Sequence, residues 1–149
     1  VEVKDSFGNT PLIIAAKHKQ VEVVKVLLSL KANANQKNHK DETSLYHAVI
    51  NIDYDMFQVL LSAEDLNVNL DYPNITTVNL LNFTIVSNYF QMVNDLLLRG
   101  ADVKKTDKMG KTALHYAAQS SFDYHTQALL ERQAEVDVVD SEGRTPLFY

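Results

Sequence analysis

The sequence predicts an all-α solenoid, in which helix-turn-helix repeats stack in a row and are joined by β-hairpin-like loops. Three observations lead to this fold class. A helix-start signal recurs at nearly constant spacing, a pair of apolar residues follows it at a fixed distance, and the two ends of the chain resemble each other. The segments VEVKDSFGNTPL (residues 1–12) and VDVVDSEGRTPL (residues 136–147) agree at eight of twelve positions.

The helix-start signal is a capping residue followed by a short apolar segment. Threonine and asparagine side chains cap helices well, and proline is favoured at the first helical position. The capping residues are separated by 33, 36, 33 and 33 residues, and they are Thr10, Thr43, Asn79, Thr112 and Thr145. Asn79 is preferred to Thr76 or Thr77 because only Asn79 keeps the distance to the next leucine pair. The extra residues of the long interval therefore fall in NVNLDYPNITTV, just before Asn79.

Each repeat is predicted to contain two helices of different character. The first is short and carries small or apolar residues where it must pack closely, as at Ala15-Ala16, Ala48-Val49 and Ala117-Ala118. The second is apolar almost all round, as in VEVVKVLLSL and FQMVNDLLL, so we expect it to be covered on more than one side. Its apolar pairs are Leu27-Leu28, Leu60-Leu61, Leu96-Leu97 and Leu129-Leu130.

The segments between repeats carry hairpin-like turn signals. Alternating valines precede an Asp-x-x-Gly turn, which lies at residues 5–8, 107–110 and 140–143. Aspartate at the start of a turn can accept hydrogen bonds from the backbone two residues on, and glycine tolerates positive φ. We therefore expect tight turns at the tips of these loops.

The chain resembles the ankyrin repeat family. The segments that carry the resemblance are GNTPLIIAA (8–16), LLLRGADV (96–103), GKTALHYAA (110–118) and GRTPL (143–147). It covers nearly the whole chain and implies one domain over residues 1–149, with repeats at about 5–38, 39–73, 74–106 and 107–139 and a partial one at 140–149. We expect this domain to be a piece of a longer array. Because the repeat is a scaffold, the resemblance implies a fold and a general role rather than one partner.

Two glycine positions of the family pattern are mostly filled by other residues. The turn between the helices carries Lys19, Ile52, Asn88 and Ser121 instead of glycine. The position after the second helix keeps glycine only at Gly100, and elsewhere it is Lys31, Glu64 and Gln133. Residues with a Cβ are strained by about 1 kcal/mol or more at positive φ, so we expect an array of marginal stability.

Composition narrows the classes of function. The net charge of −5 argues against direct nucleic-acid binding, which needs a concentrated basic patch. No apolar run approaches the roughly 18 residues of a membrane span, so membrane insertion is not expected. The chain has no cysteine, which excludes disulfides and thiolate metal sites and suits an intracellular, cytoplasmic or nuclear location.

Catalytic and metal-binding patterns are not found in the sequence. The histidines lack HxxxH or HExxH spacing, and there is no glycine-rich phosphate loop, so neither a metal nor a cofactor is expected. Ser120-Ser121 near His125 is the one local nucleophile-and-base candidate, and a polar turn between helices explains it without chemistry. The sequence thus predicts a protein that is not an enzyme.

The predicted partner is another protein, bound on the concave face and the hairpin tips. In designed ankyrin proteins the positions varied to make binders are the loop tips, the residue before the capping threonine and the end of the first helix. Carried onto this sequence, that pattern gives Phe7, Asn9, Lys17, His18, His39, Lys40, Ile50, Asn51, Ile75, Val78, Lys108, Met109, Lys111, Gln119 and Ser120. Phe7, Ile75 and Met109 are apolar residues at loop tips, and Tyr72 adds an aromatic in the extended loop.

The resemblance also implies one modification and two other roles. Asparagines in ankyrin hairpins can be hydroxylated when a leucine lies eight residues earlier, which is the spacing of Asn35 from Leu27 and of Asn69 from Leu61. The alternatives to a free-standing interaction module are a regulatory or targeting domain of a larger enzyme or channel, or an inhibitor-of-NF-κB-like protein that masks a transcription factor.

Overall fold

The computed structural model describes residues 3–72, 79–120 and 123–149. Within these ranges the regular elements are eight α-helices and one 3₁₀ helix, without a strand. The chain divides into two compact units, unit 1 over Val1–Asn67 and unit 2 over Val68–Tyr149. The predicted all-α class is therefore confirmed.

Unit 1 contains four of the helices. They are α1 (Pro11–Lys17), α2 (Val21–Ser29), α3 (Ser44–Ile50) and α4 (Tyr54–Leu61). The first helices of the two repeats, α1 and α3, pack side by side, and so do the second helices, α2 and α4. Each first helix also packs against the second helix of its own repeat.

Unit 2 repeats this arrangement. Its helices are α5 (Leu80–Val86), α6 (Phe90–Leu98), α7 (Ala113–Gln119), α8 (Asp123–Leu130) and the 3₁₀ helix Pro146–Phe148. The first helices α5 and α7 pack together, α7 packs against the 3₁₀ helix, and α6 contacts α8. The 3₁₀ helix occupies the place of a further first helix, because its N-cap is Thr145.

All five predicted helix starts are confirmed. The N-caps are Thr10, Thr43, Asn79, Thr112 and Thr145. The Asn79 side chain accepts a hydrogen bond of 2.8 Å from the Asn82 backbone N–H, and the Thr43 hydroxyl accepts one of 3.1 Å from that of Tyr46. Each of these two side-chain bonds satisfies a donor that the helix itself cannot, which places the start of the helix at a defined residue.

The core lies where the first helices meet each other and where they meet the second helices. Small residues of the first helices, such as Ala48 and Ala117, are fully buried and let the helices approach closely. Larger apolar residues of the second helices, such as Leu60 and Leu96, fill the remaining space. This is the division of roles that the sequence predicted.

The second helix α2 is covered on two sides, as expected, but it buries fewer residues than α4 and α6. Val24 is its only buried residue, while Val23 and Val26 are exposed. Among the described residues α2 packs against α1 and α4, so two neighbours leave one apolar side of this helix open. In α4 and α6 both leucines of the pair are buried as expected.

The turns adopt positive φ at most of the predicted positions. Lys19, Ile52 and Asn88 have φ of 56°, 54° and 56° between the helices, and Lys31 and Gln133 have 60° and 61° after the second helix. Most of these turns bring a backbone N–H back to a carbonyl five residues earlier, as from Ala32 to Leu27 at 3.0 Å, which closes the helix end. Ser121 lies outside the described residues.

Two loop positions differ from the expectation. Glu64 is not among the residues with positive φ, because α4 ends in a different turn, in which the Ala63 N–H donates to the Leu60 carbonyl. Asp41 does have positive φ, at 61°, although the sequence did not mark it. Asp41 stands at the loop-tip position that is glycine at three other places in the chain, as at Gly110 with φ of 72°.

Candidate partner-binding surface

The first loop tip of unit 1 is built around the Asp5 carboxylate. It accepts hydrogen bonds from the backbone N–H groups of Phe7 at 2.9 Å and Asn9 at 2.8 Å, and from the Asn9 side-chain amide at 3.0 Å. The Asn9 amide, aided by these backbone bonds, holds the pKa of Asp5 below its ordinary value. Two further backbone bonds, from Gly8 to Asp5 and from Asp5 to Asn9, close the turn. The turn leaves the Phe7 side chain 68% exposed.

The second loop tip of unit 1 uses an asparagine in place of the aspartate. The Asn38 side-chain oxygen accepts from the backbone N–H groups of Lys40 at 2.9 Å and Glu42 at 3.0 Å. Its amide donates to the Asn9 side-chain oxygen at 2.9 Å and to the Glu42 carboxylate at 2.8 Å. The His39 N–H donates to the Phe7 carbonyl at 3.0 Å, so the two tips are tied together.

These bonds give one predicted contact residue a structural role. Asn9 is buried, and its side-chain amide and oxygen are bonded to Asp5 and Asn38. It therefore holds the two tips in register, since a polar side chain beneath two turns is more stable when both its atoms are bonded inside the protein. The role of Asn9 as a contact residue stays a prediction.

A groove opens beside the two tips of unit 1. It has a volume of about 230 Å³, and its lining consists of Phe7, Asn9, Lys17, Asn38, His39, Lys40 and Glu42. Five of the predicted contact residues line it; Asn9 is buried, and the other four, Phe7, Lys17, His39 and Lys40, are exposed. His18 is also exposed, directly after Lys17 at the end of α1.

The loop tips of unit 2 follow the same plan with different side chains. The Asp107 carboxylate accepts from the Met109 N–H at 2.8 Å, the Lys111 N–H at 2.9 Å and the Tyr116 hydroxyl. The Ser141 N–H donates to the Met109 carbonyl at 2.8 Å, which ties this tip to the next one. Met109 is 50% exposed, as predicted for a loop-tip residue.

The last loop of unit 2 is centred on Asp140. Its carboxylate accepts from the backbone N–H groups of Glu142 and Arg144, from the Arg144 guanidinium at 3.1 Å and from the Tyr149 hydroxyl at 2.7 Å. The bond from Tyr149 parallels the one from Tyr116 to Asp107, since each tyrosine lies nine residues after its aspartate. Burial, and then the bond to Asp107, raise the pKa of the Tyr116 phenol far above its ordinary value.

The cationic side chains beside these loops interact with other groups of unit 2. The Lys111 ammonium lies 4.4 Å from the centre of the Tyr149 ring, and the Arg144 guanidinium lies 4.8 Å from it. Arg144 also forms an ion pair of 2.8 Å with Glu142. Both cations therefore already interact with an aromatic face of their own unit, and Arg144 with its carboxylates as well.

The remaining predicted contact residues lie on or near the ends of the first helices. Asn51 follows α3 and is exposed, while Ile50 is half-buried; Gln119 is exposed at the end of α7, and Lys108 is exposed at the tip before Met109. The Ser120 hydroxyl donates to the Ala117 carbonyl at 3.0 Å. Ile75 and Val78 lie outside the described residues.

Tyr72 does not belong to the surface, contrary to its prediction as a contact residue. Its side chain is only 1% exposed, the largest of the fully buried side chains. An aromatic ring removes a large apolar area from water when it packs inward, and a loop that can turn it inward gains more than one that leaves it out.

Two asparagine side chains each connect two consecutive loops by hydrogen bonds. The Asn35 amide donates to the Asp65 carbonyl at 2.7 Å, and its oxygen accepts from the Asn67 N–H at 2.7 Å. Asn69 makes the same pair of bonds to the Gly100 carbonyl at 3.1 Å and the Asp102 N–H at 2.7 Å. The proposed hydroxylation residue Asn35 thus bridges two loops of unit 1.

The histidine and serine side chains form their hydrogen bonds with other groups and not with each other. His125 Nε2 lies 3.0 Å from the Asn88 side-chain oxygen, and Ser120 is bonded to the backbone. The Thr112 N–H donates to His115 Nδ1, so His115 Nε2 carries the proton donated to the Arg144 carbonyl at 3.1 Å.

In residues 3–72, 79–120 and 123–149, three or more metal-binding side chains nowhere come together. Over the same ranges, no helix is long and apolar enough to cross a membrane.

Repeated helix pairs whose loop tips are joined by hydrogen bonds are typical of one class of protein, the helical repeat scaffolds. In this class the exposed loop tips and helix ends form a binding surface. A family model described as ankyrin repeats (3 copies) matches residues 1–71 and 81–149. The chain belongs to the ankyrin repeat family. Ankyrin repeats are a general protein–protein interaction module.

The chain is similar to segments of several larger proteins. It is 32% identical over 151 residues to the human transient receptor potential cation channel subfamily A member 1, with 96% of this chain and 13% of the channel covered. It is 31% identical to mouse neurogenic locus notch homolog protein 1, over 97% of this chain and 6% of that protein. It is 30% identical to the chicken nuclear factor NF-kappa-B p105 subunit, over 99% and 15%.

Two solved structures share the fold. One is a chain in the structure of a predatory endopeptidase from Bdellovibrio bacteriovorus in complex with an immunity protein, with a TM-score of 0.82, 28% identity, and 99% of this chain and 76% of that chain covered. The other is an ankyrin repeat domain from Acinetobacter baumannii, with a TM-score of 0.82, 26% identity, and 93% and 69% covered.

Proposed function

We propose that this chain is a non-catalytic module that binds a protein partner through its loop tips and the adjoining ends of its first helices. The observation that carries the proposal is the outward display of Phe7 and Met109 on turns that are already fixed by hydrogen bonds. A loop tip whose backbone is already held in place loses little backbone entropy when its exposed side chain binds a partner. The solved endopeptidase complex supports the proposal, since it contains a related fold in a protein–protein assembly.

A capture experiment with matched variants tests this proposal. Phe7→Ala combined with Met109→Ala removes both apolar tips, while Val26→Ala combined with Leu98→Ala removes two exposed apolar side chains from the second helices. Immobilised wild-type chain and both variants are incubated with cell lysate, and the retained proteins are quantified by mass spectrometry. We expect the wild type and the helix variant to retain the same proteins and the loop-tip variant to lose them. Equal retention by all three would show that the partner binds elsewhere.

The relatives favour a second candidate, in which the segment regulates or positions a larger protein. The chain spans only 6% to 15% of the first curated relatives, which include a cation channel and a subunit of a transcription factor. In that role the same surface would bind another segment of its own chain or a protein that it masks. Cross-linking the full-length protein at Phe7 would distinguish the two, because a link within the chain indicates regulation and a link to another protein indicates recruitment.

A further inference from the structure

The groove beside the loop tips of unit 1 has basic residues at four positions where unit 2 has none, whereas the cations of unit 2, Lys111 and Arg144, stand at the positions of Asn9 and Glu42 and interact within their own unit. The two regions correspond position by position, since Thr10 and Thr112 cap equivalent helices 102 residues apart. Around the groove of unit 1 this offset compares Lys17 with Gln119, His18 with Ser120, His39 with Ser141 and Lys40 with Glu142. Two lysines and two histidines thus stand where unit 2 has neutral residues and a carboxylate.

Lys17 is an exposed basic residue at the rim of this groove. Among the described residues its ammonium makes no hydrogen bond or ion pair, and the side chain is exposed at the end of α1. Its positive charge nevertheless acts on a nearby histidine, His47. Burial lowers the pKa of His47, Glu42 partly offsets that effect, and Lys17 lowers the pKa further.

The carboxylate that lines the same groove is already bound. Glu42 accepts a hydrogen bond of 2.8 Å from the Asn38 amide, lies 3.4 Å from His47 Nε2, and has a side chain that is 18% exposed. It therefore offers little to a ligand, while the Lys17 and Lys40 side chains are exposed at the rim. Phe7 supplies an apolar surface next to them.

We infer that this groove binds an extended, acidic peptide segment of the partner, with one apolar side chain against Phe7 and carboxylates beside Lys17 and Lys40. The inference rests on the proposed function and adds to it the partner's chemistry and the unit that binds it. Complementary charge steers association and selects between partners.

The size and chemistry of the groove support the choice of an extended carboxylate-bearing segment. Its volume of about 230 Å³ is enough to receive single side chains of a bound segment. Unit 1 contains no arginine, so the bidentate pairing that favours phosphate is missing, and lysine offers a compact point charge to a carboxylate.

A selection from random peptides identifies the ligand that the groove prefers. Random dodecapeptides displayed on phage are selected on the immobilised chain, and the most enriched peptide is synthesised with a fluorophore for polarisation titrations. We expect enriched sequences to carry several Asp or Glu residues around one aromatic or aliphatic residue. The same peptide with Asn and Gln replacing its acids should bind at least roughly tenfold more weakly.

Variants of the chain locate the binding site. Lys17→Gln combined with Lys40→Glu installs the residues that unit 2 carries at the corresponding positions, and it should raise Kd at least roughly tenfold. Phe7→Ala should raise it by about tenfold. The matched control, Lys25→Gln combined with Val26→Ala, removes an exposed charge and an exposed apolar side chain from α2, away from the loop tips, and should leave Kd within about twofold. All these side chains are exposed, so circular dichroism should show unchanged melting.

Each contrary result has a distinct meaning. Enriched peptides that are neutral or basic, or a Kd that responds to Met109→Ala in unit 2 and not to the loop-tip variants of unit 1, would overturn this inference and leave the proposed function standing. If no loop-tip variant in either unit changes binding, the proposed function itself fails.

Discussion

At the scale of single residues, backbone conformation separates positions that look alike in the sequence. Ile52 and Glu64 both stand where the family pattern has glycine, but only Ile52 adopts positive φ, at 54°. A β-branched residue in this region is a genuine outlier, and its side chain is mostly exposed and gains little from packing. At Ile52 the replacement of the family's glycine therefore brings backbone strain, and at Glu64 it does not.

Ile52→Gly should stabilise the protein. Relief of roughly 1–2 kcal/mol of left-handed strain exceeds the roughly 0.4–1 kcal/mol of extra chain entropy that glycine brings to the unfolded state. We expect a net gain of about 0.5–1 kcal/mol in the free energy of unfolding, measured by urea denaturation. Glu64→Gly is the control and should lower stability, because no strain is relieved there; a gain at Glu64 would contradict this account.

Asn35 carries a second prediction at this scale. Its spacing from Leu27 fits the hydroxylation pattern, and its side chain is part of a two-bond bridge between loops. Protein purified from cells should show a mass increase of one oxygen on the peptide containing Asn35. Protein carrying Asn35→Ala should lack that shift, and repeated absence of the shift in the wild type would reject the modification.

At the scale of elements, the pattern of the sequence predicted more of the fold than of the surface. Helix starts depend on local capping chemistry, so all five could be located from single residues and their spacing. The exposed side of α2 could not, because it depends on which neighbours are present rather than on the helix's own apolarity. Asn9 and Tyr72 were assigned to the surface for a related reason: burial of a loop residue is decided by contacts between loops, which leave no periodic signal.

The leucines of α6 give the prediction for packing. Leu97 is 3% exposed and Leu98 is 67% exposed, although they are adjacent in the sequence. Leu97→Ala should reduce the free energy of unfolding by about 2–5 kcal/mol, since it leaves a cavity in the core. Leu98→Ala should change it by less than about 0.5 kcal/mol. Similar losses for both variants, measured by thermal and urea denaturation, would show that α6 is rotated from the orientation described here.

At the scale of the whole molecule, two buried histidines couple stability to pH. Burial lowers the pKa of His47, where Lys17 adds to the effect and Glu42 opposes it, and burial also lowers the pKa of His125. The unfolded chain therefore binds more protons than the folded one between the lowered pKa and the ordinary value of about 6.5. The stabilising contribution is complete above about pH 6.5 and is lost as the pH falls toward the folded-state pKa.

The free energy of unfolding should accordingly fall between about pH 7 and pH 5, by at most about 1.4 kcal/mol per pH unit for each histidine. Urea denaturation at a series of pH values measures this slope. His47→Gln combined with His125→Gln should flatten it, whereas His18→Gln, at an exposed position, should leave it unchanged. A slope that survives the double substitution would assign the effect to other groups.

The hydrogen bonds that fix the tips of unit 1 have a thermodynamic consequence for association. Asp5 and Asn38 hold the backbone beside Phe7 and Lys40 before any ligand arrives, and the His39–Phe7 bond joins the two turns. A segment docking there would lose its own conformational freedom while the receptor lost almost none. The entropy of binding should then depend chiefly on the flexibility of the partner, so a constrained peptide would bind more tightly than its linear form without a single additional contact.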